Sequence, residues 1–169
     1  LGEADLAACR GLMADYLRWH HARYDAHREM IDRYFDHEGY AREMAGLPGE
    51  YAGPKGRLLV AVLAGRIAGM VAVRPLASGE AEMRRLFVDA DAQGRGIGRA
   101  LARRIMAEAA ALGYRRIRLD TGPLQHEAIA MYESLGFARS DPHYPLPPAL
   151  RDLLVFMACD LTPPQPAQR

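Results

Sequence analysis

The stretch Gln93-Gly94-Arg95-Gly96-Ile97-Gly98 joins a strand-like run, Glu82 to Val88, to a helix-like run, Arg99 to Leu112. Three glycines in five residues let a ligand approach the backbone with no Cβ in the way. The helix that opens there offers unpaired N–H groups and the positive end of its dipole. Arg95 and Arg99 add charge-assisted donors on the same turn. This is chemistry for a pyrophosphate, a group that nucleotides, dinucleotides and coenzyme A all carry.

A strand, a glycine loop, a helix and a strand ending in Asp120 also fit the outline of a dinucleotide-binding unit. Three features count against it. The third glycine of G-x-G-x-x-G would fall at Arg99, the loop follows a meander in mid-chain, and only one β-α-β unit fits in the sequence. A P-loop is excluded because no Lys-Ser or Lys-Thr follows the glycines.

The elements that position the loop follow from periodicity. Leu6, Cys9, Leu12, Met13, Tyr16 and Trp19 recur at helical spacing, as do Met30, Ile31, Tyr34 and Phe35, which predicts two helices joined near Tyr24 to Ala26. Residues 46–56 hold four glycines and two prolines and read as a loop. The period then changes to two. Runs 57–63, 66–76 and 81–88 predict an antiparallel meander, with Ala64-Gly65 as the hairpin turn. Ile97, Leu101, Ile105, Ala109 and Leu112 form one apolar stripe, closed by Gly113. A strand over 116–120 completes a right-handed crossover, so the strands ending near Val88 and Asp120 run parallel. Leu124, Ala128, Tyr132 and Leu135 predict a shorter helix stopped by Gly136. Two closing strands, 137–144 and 152–160, flank a Pro-rich turn. The expected class is α/β (α+β by some schemes), a single domain over 1–162 with a mixed sheet flanked by helices, then a Pro-rich tail over 163–169. Because the chain opens on Leu1, a missing first strand is compatible with this reading.

Composition agrees with one ordinary domain: 169 residues, 50% apolar and 25% charged. A net charge of +1 gives no basic excess for nucleic acid or an anionic membrane. Cys9 and Cys159 stand far apart and in no metal-ligand spacing, so free thiols in a reducing cytoplasm are expected, with no metal. No apolar run approaches the ~20 residues that span a bilayer, and the first residues lack a signal-peptide pattern.

Taken together these residues resemble the GNAT superfamily of acetyl-coenzyme A-dependent N-acyltransferases over most of the chain. Gln93, Gly96 and Gly98 meet the family's Gln/Arg-x-x-Gly-x-Gly/Ala signature, after a strand that ends Leu86-Phe87-Val88-Asp89. Ala128-Ile129 with Tyr132, Gly136 and Phe137 is similar to the second signature, Asn-x-x-Ala-x-x-x-Tyr followed by Gly-Phe. Gln125 departs from it, standing where many members carry Asn.

The resemblance implies acetyl transfer from acetyl-CoA directly to a primary amine, through a tetrahedral intermediate. Gly94 to Arg99 would then bind pyrophosphate, and Leu86, Phe87 and Val88 would pair with the pantetheine arm in a gap between splayed strands. A backbone N–H near Val88 would meet the oxyanion. Tyr132 would protonate the leaving thiolate; read from periodicity alone, it is a core residue on the stripe with Leu124, Ala128 and Leu135. Glu82 is the candidate base, on one face with Arg84, Leu86 and Val88 by alternation; a surface pair with an arginine is the other reading, and water can carry the proton instead. His126 and His143 are weaker candidates. The acceptor, a small molecule or peptide, would enter near Tyr34, Tyr40, Tyr51, Pro54, Asp120 and Thr121, and a homodimer is compatible with all of this. A non-catalytic acyl-CoA-sensing domain would keep the cradle and lose the acid and base, so Tyr132 and Glu82 together favour catalysis.

Overall fold

The computed structural model describes residues 1–27, 29, 32 and 36–161. Helix α1 spans Glu3–Arg23 and helix α2 His37–Ala45. Strands β1 (Arg57–Leu63), β2 (Arg66–Pro75) and β3 (Glu80–Val88) form the meander. Helix α3 (Ile97–Ala111), β4 (Arg116–Thr121), α4 (His126–Ser134), β5 (Ala138–Arg139) and β6 (Val155–Asp160) follow. The six strands lie in the order β1-β2-β3-β4-β6-β5. Among the described strands only β3 and β4 pair in parallel, as a crossover through α3 requires. Among the described residues no helix is long and apolar enough to cross a membrane.

Two cores sandwich the sheet. On one face Val71, Val73, Ala81 and Met83 meet Leu101, Ile105 and Ala109 of α3 and Ile129 and Tyr132 of α4. On the other, Met70 and Ala72 meet Cys9, Leu12 and Met13 of α1 and Tyr40 of α2. Helix α1 carries Glu3 and Asp5 in its first turn and Arg23 in its last, each sign at the end its dipole favours. The predicted join at Tyr24–Ala26 is a short 3₁₀ turn over Asp25–His27, whereas the second apolar set, Met30 to Phe35, lies outside the described residues.

Glycine closes both helices on the crossover side. Gly113 (φ +88) and Gly136 (φ +95) are left-handed, and each helix ends in the paired bonds of a Schellman motif. After α4, the Gly136 N–H donates to Glu133 O (3.0 Å) and the Phe137 N–H to Tyr132 O (3.1 Å). The rings of Phe137 and Tyr132, 5.6 Å apart, supply the apolar contact that accompanies this motif.

The structure corrects two expectations. The first closing strand is only Ala138–Arg139: Ser140 still donates to Phe156 O (2.9 Å), but Pro142 has no N–H to continue the ladder. Residues 148–153 are 3₁₀ helix, so the last strand begins at Val155. The second correction concerns β3. Ala72 pairs with Arg84 and Met70 with Phe87, so two residues of β3, Arg85 and Leu86, oppose Val71. This is a β-bulge with Arg85 in the left-handed region (φ +57). Side-chain alternation inverts across it. Glu82 and Arg84 share the α1/α2 face with Phe87, while Leu86 and Val88 join the α3/α4 core, so the four do not lie on one face.

Candidate active site

Strands β3 and β4 pair at Glu80↔Arg116, Ala81↔Ile117 and Glu82↔Arg118, and no pairing follows although both strands continue. The bulge sits just past the last pair, so β3 bends away and the sheet splits toward Val88 and Thr121. A cleft of about 380 Å³ occupies the split. Leu86, Phe87 and Val88 form its β3 wall. Gln93, Gly94, Gly96, Ile97, Gly98 and Arg99 form its loop and α3 wall, and Gln125, Ala128, Met131 and Tyr132 close it from α4.

The loop is held by local geometry. Gly94 (φ +74) and Gly96 (φ +76) are left-handed, and Gly96 is the N-cap of α3, so the opening N–H groups of the helix face the cleft without a side-chain cap. The Gln93 amide donates to Val88 O (3.0 Å) and ties the loop to the end of β3. This arrangement fits an anionic, elongated ligand: a glycine cradle at a helix N-terminus, continuous with an unpaired strand edge that can pair with an amide-bearing arm.

Tyr132 is 7% exposed and lines both this cleft and a neck of about 40 Å³ that runs deeper between β3 and β4. Burial pushes its hydroxyl pKa well above that of an ordinary phenol, so it stays protonated across the neutral range. Among the described residues no hydrogen bond is made to that hydroxyl, which leaves its proton available to a ligand.

The neck leads to a second cavity of about 370 Å³, and Arg84, Arg85 and Asp120 line both. Glu82 stands behind this wall with its side chain fully buried. It accepts from Arg74 Nε (2.6 Å) and His143 Nε2 (3.0 Å), and Arg84 lies 3.5 Å away. Burial alone would raise its pKa, but the His143 bond and the Arg84 and Arg74 charges outweigh that and bring it to about 2. Because the carboxylate only accepts, His143 Nε2 carries the proton, and its buried Nδ1 has no hydrogen-bond partner among the described residues. Glu82, Asp120 and His143 each bring one atom within 4.8 Å of the other two. Tyr144 hydrogen-bonds Asp120.

The bulge is pinned from α2. Arg85 makes a two-pronged pair with Glu43, Nε to Oε1 at 2.7 Å and Nη2 to Oε2 at 2.5 Å, and its guanidinium lies 4.7 Å from the centre of the Tyr40 ring. Such fork-to-fork pairing offsets the ~1–2 kcal/mol that a left-handed non-glycine residue costs.

Gln125 turns inward to α1. Burial lowers the His20 pKa to about 4, so the ring is neutral; its Nδ1–H donates to Tyr16 O (2.9 Å), and Nε2 accepts from the Gln125 amide (2.9 Å). The Leu124 N–H donates to the Tyr24 hydroxyl (3.1 Å), which lies so close to Gly122 that an added Cβ there would sit 1.9 Å from it.

Of the residues expected at a cofactor, all but Arg95 line the first cleft; Arg95 is exposed on the loop. Tyr40 and Tyr51 lie in the core, bonded to Met13 O and Glu43, and line neither the neck nor the second cavity. Tyr34 lies outside the described residues, and His126 is exposed. Among the lining residues that escaped sequence reasoning are Tyr16 and Trp19, which wall the cleft from α1. Their only signal, helical spacing on an apolar stripe, is that of packing residues.

Residues 14–137 match the acetyltransferase (GNAT) family. The chain is 37% identical over 120 residues to an N-acetylaspartate synthetase of Danio rerio, covering 70% of this chain and 42% of that protein. It is 40% identical over 98 residues to an IAA acetyltransferase of Azospirillum brasilense, covering 57% of this chain and 64% of that one. This sequence therefore spans from about two fifths to just under two thirds of these relatives. In fold it is similar to the paia N-acetyltransferase of Thermoplasma acidophilum in complex with coenzyme A, with TM-score 0.68, 16% identity and 95% of each chain covered. The matched segment takes in the bulged strand, the glycine cradle and Tyr132, and the chain belongs to the GNAT acetyltransferase family.

Proposed function

We propose that this protein is an N-acetyltransferase that moves the acetyl group of acetyl-CoA directly onto a primary amine. One observation carries the reading. A cradle-lined cleft and a polar cavity meet at a narrow neck where the sheet splits, and Tyr132 and Asp120 line that neck. Acetyl-CoA supplies an activated carbonyl. Gly94 to Arg99 hold its pyrophosphate and the free edge of β3 its pantetheine arm, with a backbone N–H near Val88 facing the carbonyl oxygen.

The amine approaches from the second cavity. As its nitrogen bonds to the carbonyl carbon and the C–S bond breaks, the electron pair leaves on sulfur, and Tyr132 gives that sulfur its proton. The surplus proton of the amine leaves through solvent at the neck, and Tyr132 is reprotonated from solvent. Glu82, at a pKa of about 2, is too weak a base to take that proton efficiently near neutrality. Its part is to hold Arg74, Arg84 and His143 behind the acceptor wall.

Thermal-shift measurements with acetyl-CoA, coenzyme A and NAD test the binding half: stabilisation by the two coenzyme A species and not by NAD is expected. Stabilisation by NAD alone overturns it. Release of free thiol across an amine panel tests the chemistry, and a protein that binds acetyl-CoA yet acetylates no amine is a sensor instead.

A further inference from the structure

We propose that the amine acceptor carries a free carboxylate, as an α-amino acid does, and that the guanidinium of Arg84 receives it while the amine faces Asp120. This rests on the transferase reading and names the substrate class of that same site.

The second cavity presents three arginines, Arg74, Arg84 and Arg85, against one carboxylate, Asp120. The glutamates that neutralise these arginines, Glu43, Glu50 and Glu82, are absent from its lining. They hold the guanidiniums from behind, so the wall itself is cationic. The three arginines are not equally occupied. Arg85 is taken up by the two-pronged pair with Glu43. Arg74 donates through Nε to Glu82 and through Nη1 to Glu50 at 2.8 and 2.9 Å.

Arg84 differs. Its ion pairs, to Glu82 at 3.5 Å and Glu43 at 3.9 Å, are too long or too oblique for hydrogen bonds, and it makes none among the described residues. A guanidinium has five donors in a planar fork that matches a carboxylate. Here the Arg84 side chain is 24% exposed and lines both the neck and the cavity. Asp120 lines the same two spaces, so one small molecule can set an amine against Asp120 and a carboxylate against Arg84. Leu76, Leu146 and Leu150, with Tyr144, Pro145 and Pro147, form the rest of the wall, and about 370 Å³ accommodates an amino acid or dipeptide.

Matched acceptors test this. Free α-amino acids with apolar, polar and acidic side chains are each compared with their α-amides and decarboxylated amines in the thiol-release assay. A charge-assisted pair predicts that, for the accepted side chains, kcat/KM for the acid exceeds that of its amide by about ten- to a hundredfold. In Arg84→Gln that ratio collapses toward one, and the loss falls on KM for the acid. Arg84→Lys keeps the charge, loses the fork and recovers part of the ratio, and stabilisation by acetyl-CoA reports that both variants are folded. Amides or plain amines used as well as the acids overturn the proposal and leave the transferase reading standing. If no amine is acetylated, calorimetry with N-acetyl amino acids and their amides on the coenzyme A-saturated protein decides: preference for the acids upholds the carboxylate site while the transferase reading falls, and no preference overturns it.

Discussion

Replacing Glu82 by Gln removes a fully buried negative charge and keeps its shape. In the native protein that carboxyl has a pKa of about 2 against 4.5 for the unfolded chain. A gap of this size corresponds to about 3 kcal/mol of stability at neutral pH, supplied by ionisation in place. The folded pKa is depressed, so the contribution is complete above about 4.5 and disappears as the pH falls toward 2. Glu82→Gln is therefore expected to lose up to about 3 kcal/mol at pH 7, with the deficit shrinking as the pH is lowered below 4.5. Urea denaturation of both proteins at a series of pH values between 7 and 3.5 measures it, and other titrating groups cancel in the difference. A deficit that stays constant over that range, or one below about 1 kcal/mol at pH 7, refutes the ionised, arginine-held state of Glu82. The same pKa bears on the chemistry. Since Glu82 does not titrate near neutrality, any group titrating there in the pH–rate profile of the wild type persists in the variant.

Tyr132→Phe is expected to lower kcat about 100-fold with KM for acetyl-CoA within a few-fold, because only the proton donor is lost; an unchanged kcat at all pH values removes Tyr132 as the acid. His20 has a folded pKa of about 4 against 6.5 unfolded, so the protein loses up to about 3 kcal/mol of stability as the pH falls through that interval. In His20→Asn the loss over that interval is absent when unfolding is followed in urea. Gly136→Ala puts a side chain at φ +95 and costs about 1 kcal/mol or more in thermal unfolding; because its motif anchors Tyr132, kcat falls with it.

The parts of the site that were legible in the sequence are those fixed by local backbone chemistry. Gly94 and Gly96 announce left-handed turns, Gly113 and Gly136 announce helix ends, and Ala64-Gly65 announces the hairpin, in which both residues have positive φ. Each of these constraints is settled within a few residues of chain. The acceptor side was not legible because its partners are remote in sequence. Glu43 meets Arg85 across 42 residues and His143 meets Glu82 across 61, and no spacing rule links such pairs. The bulge was hidden for a different reason. Nothing in Met83-Arg84-Arg85-Leu86 breaks the appearance of a strand, and arginine is not a residue that marks a left-handed position. What holds it there, Glu43 and Tyr40, comes from another element.

That single inserted residue does two things a regular strand cannot do together. In an unbroken strand, Glu82, Arg84, Leu86 and Val88 would share a face, so charged and apolar residues would compete for the same environment. With Arg85 bulged, Arg84 lines the polar cavity with the buried Glu82 behind it, while Leu86 and Val88 pack toward α3 and α4. The bend at the same point ends the parallel pairing with β4 and opens the neck between them. One strand thus supplies an apolar wall for the cleft on its far half and a charged wall for the cavity on its near half, with the neck at the point of reversal. The Glu43–Arg85 pair is the lock on that reversal, which places a residue of α2 in control of a site it does not line.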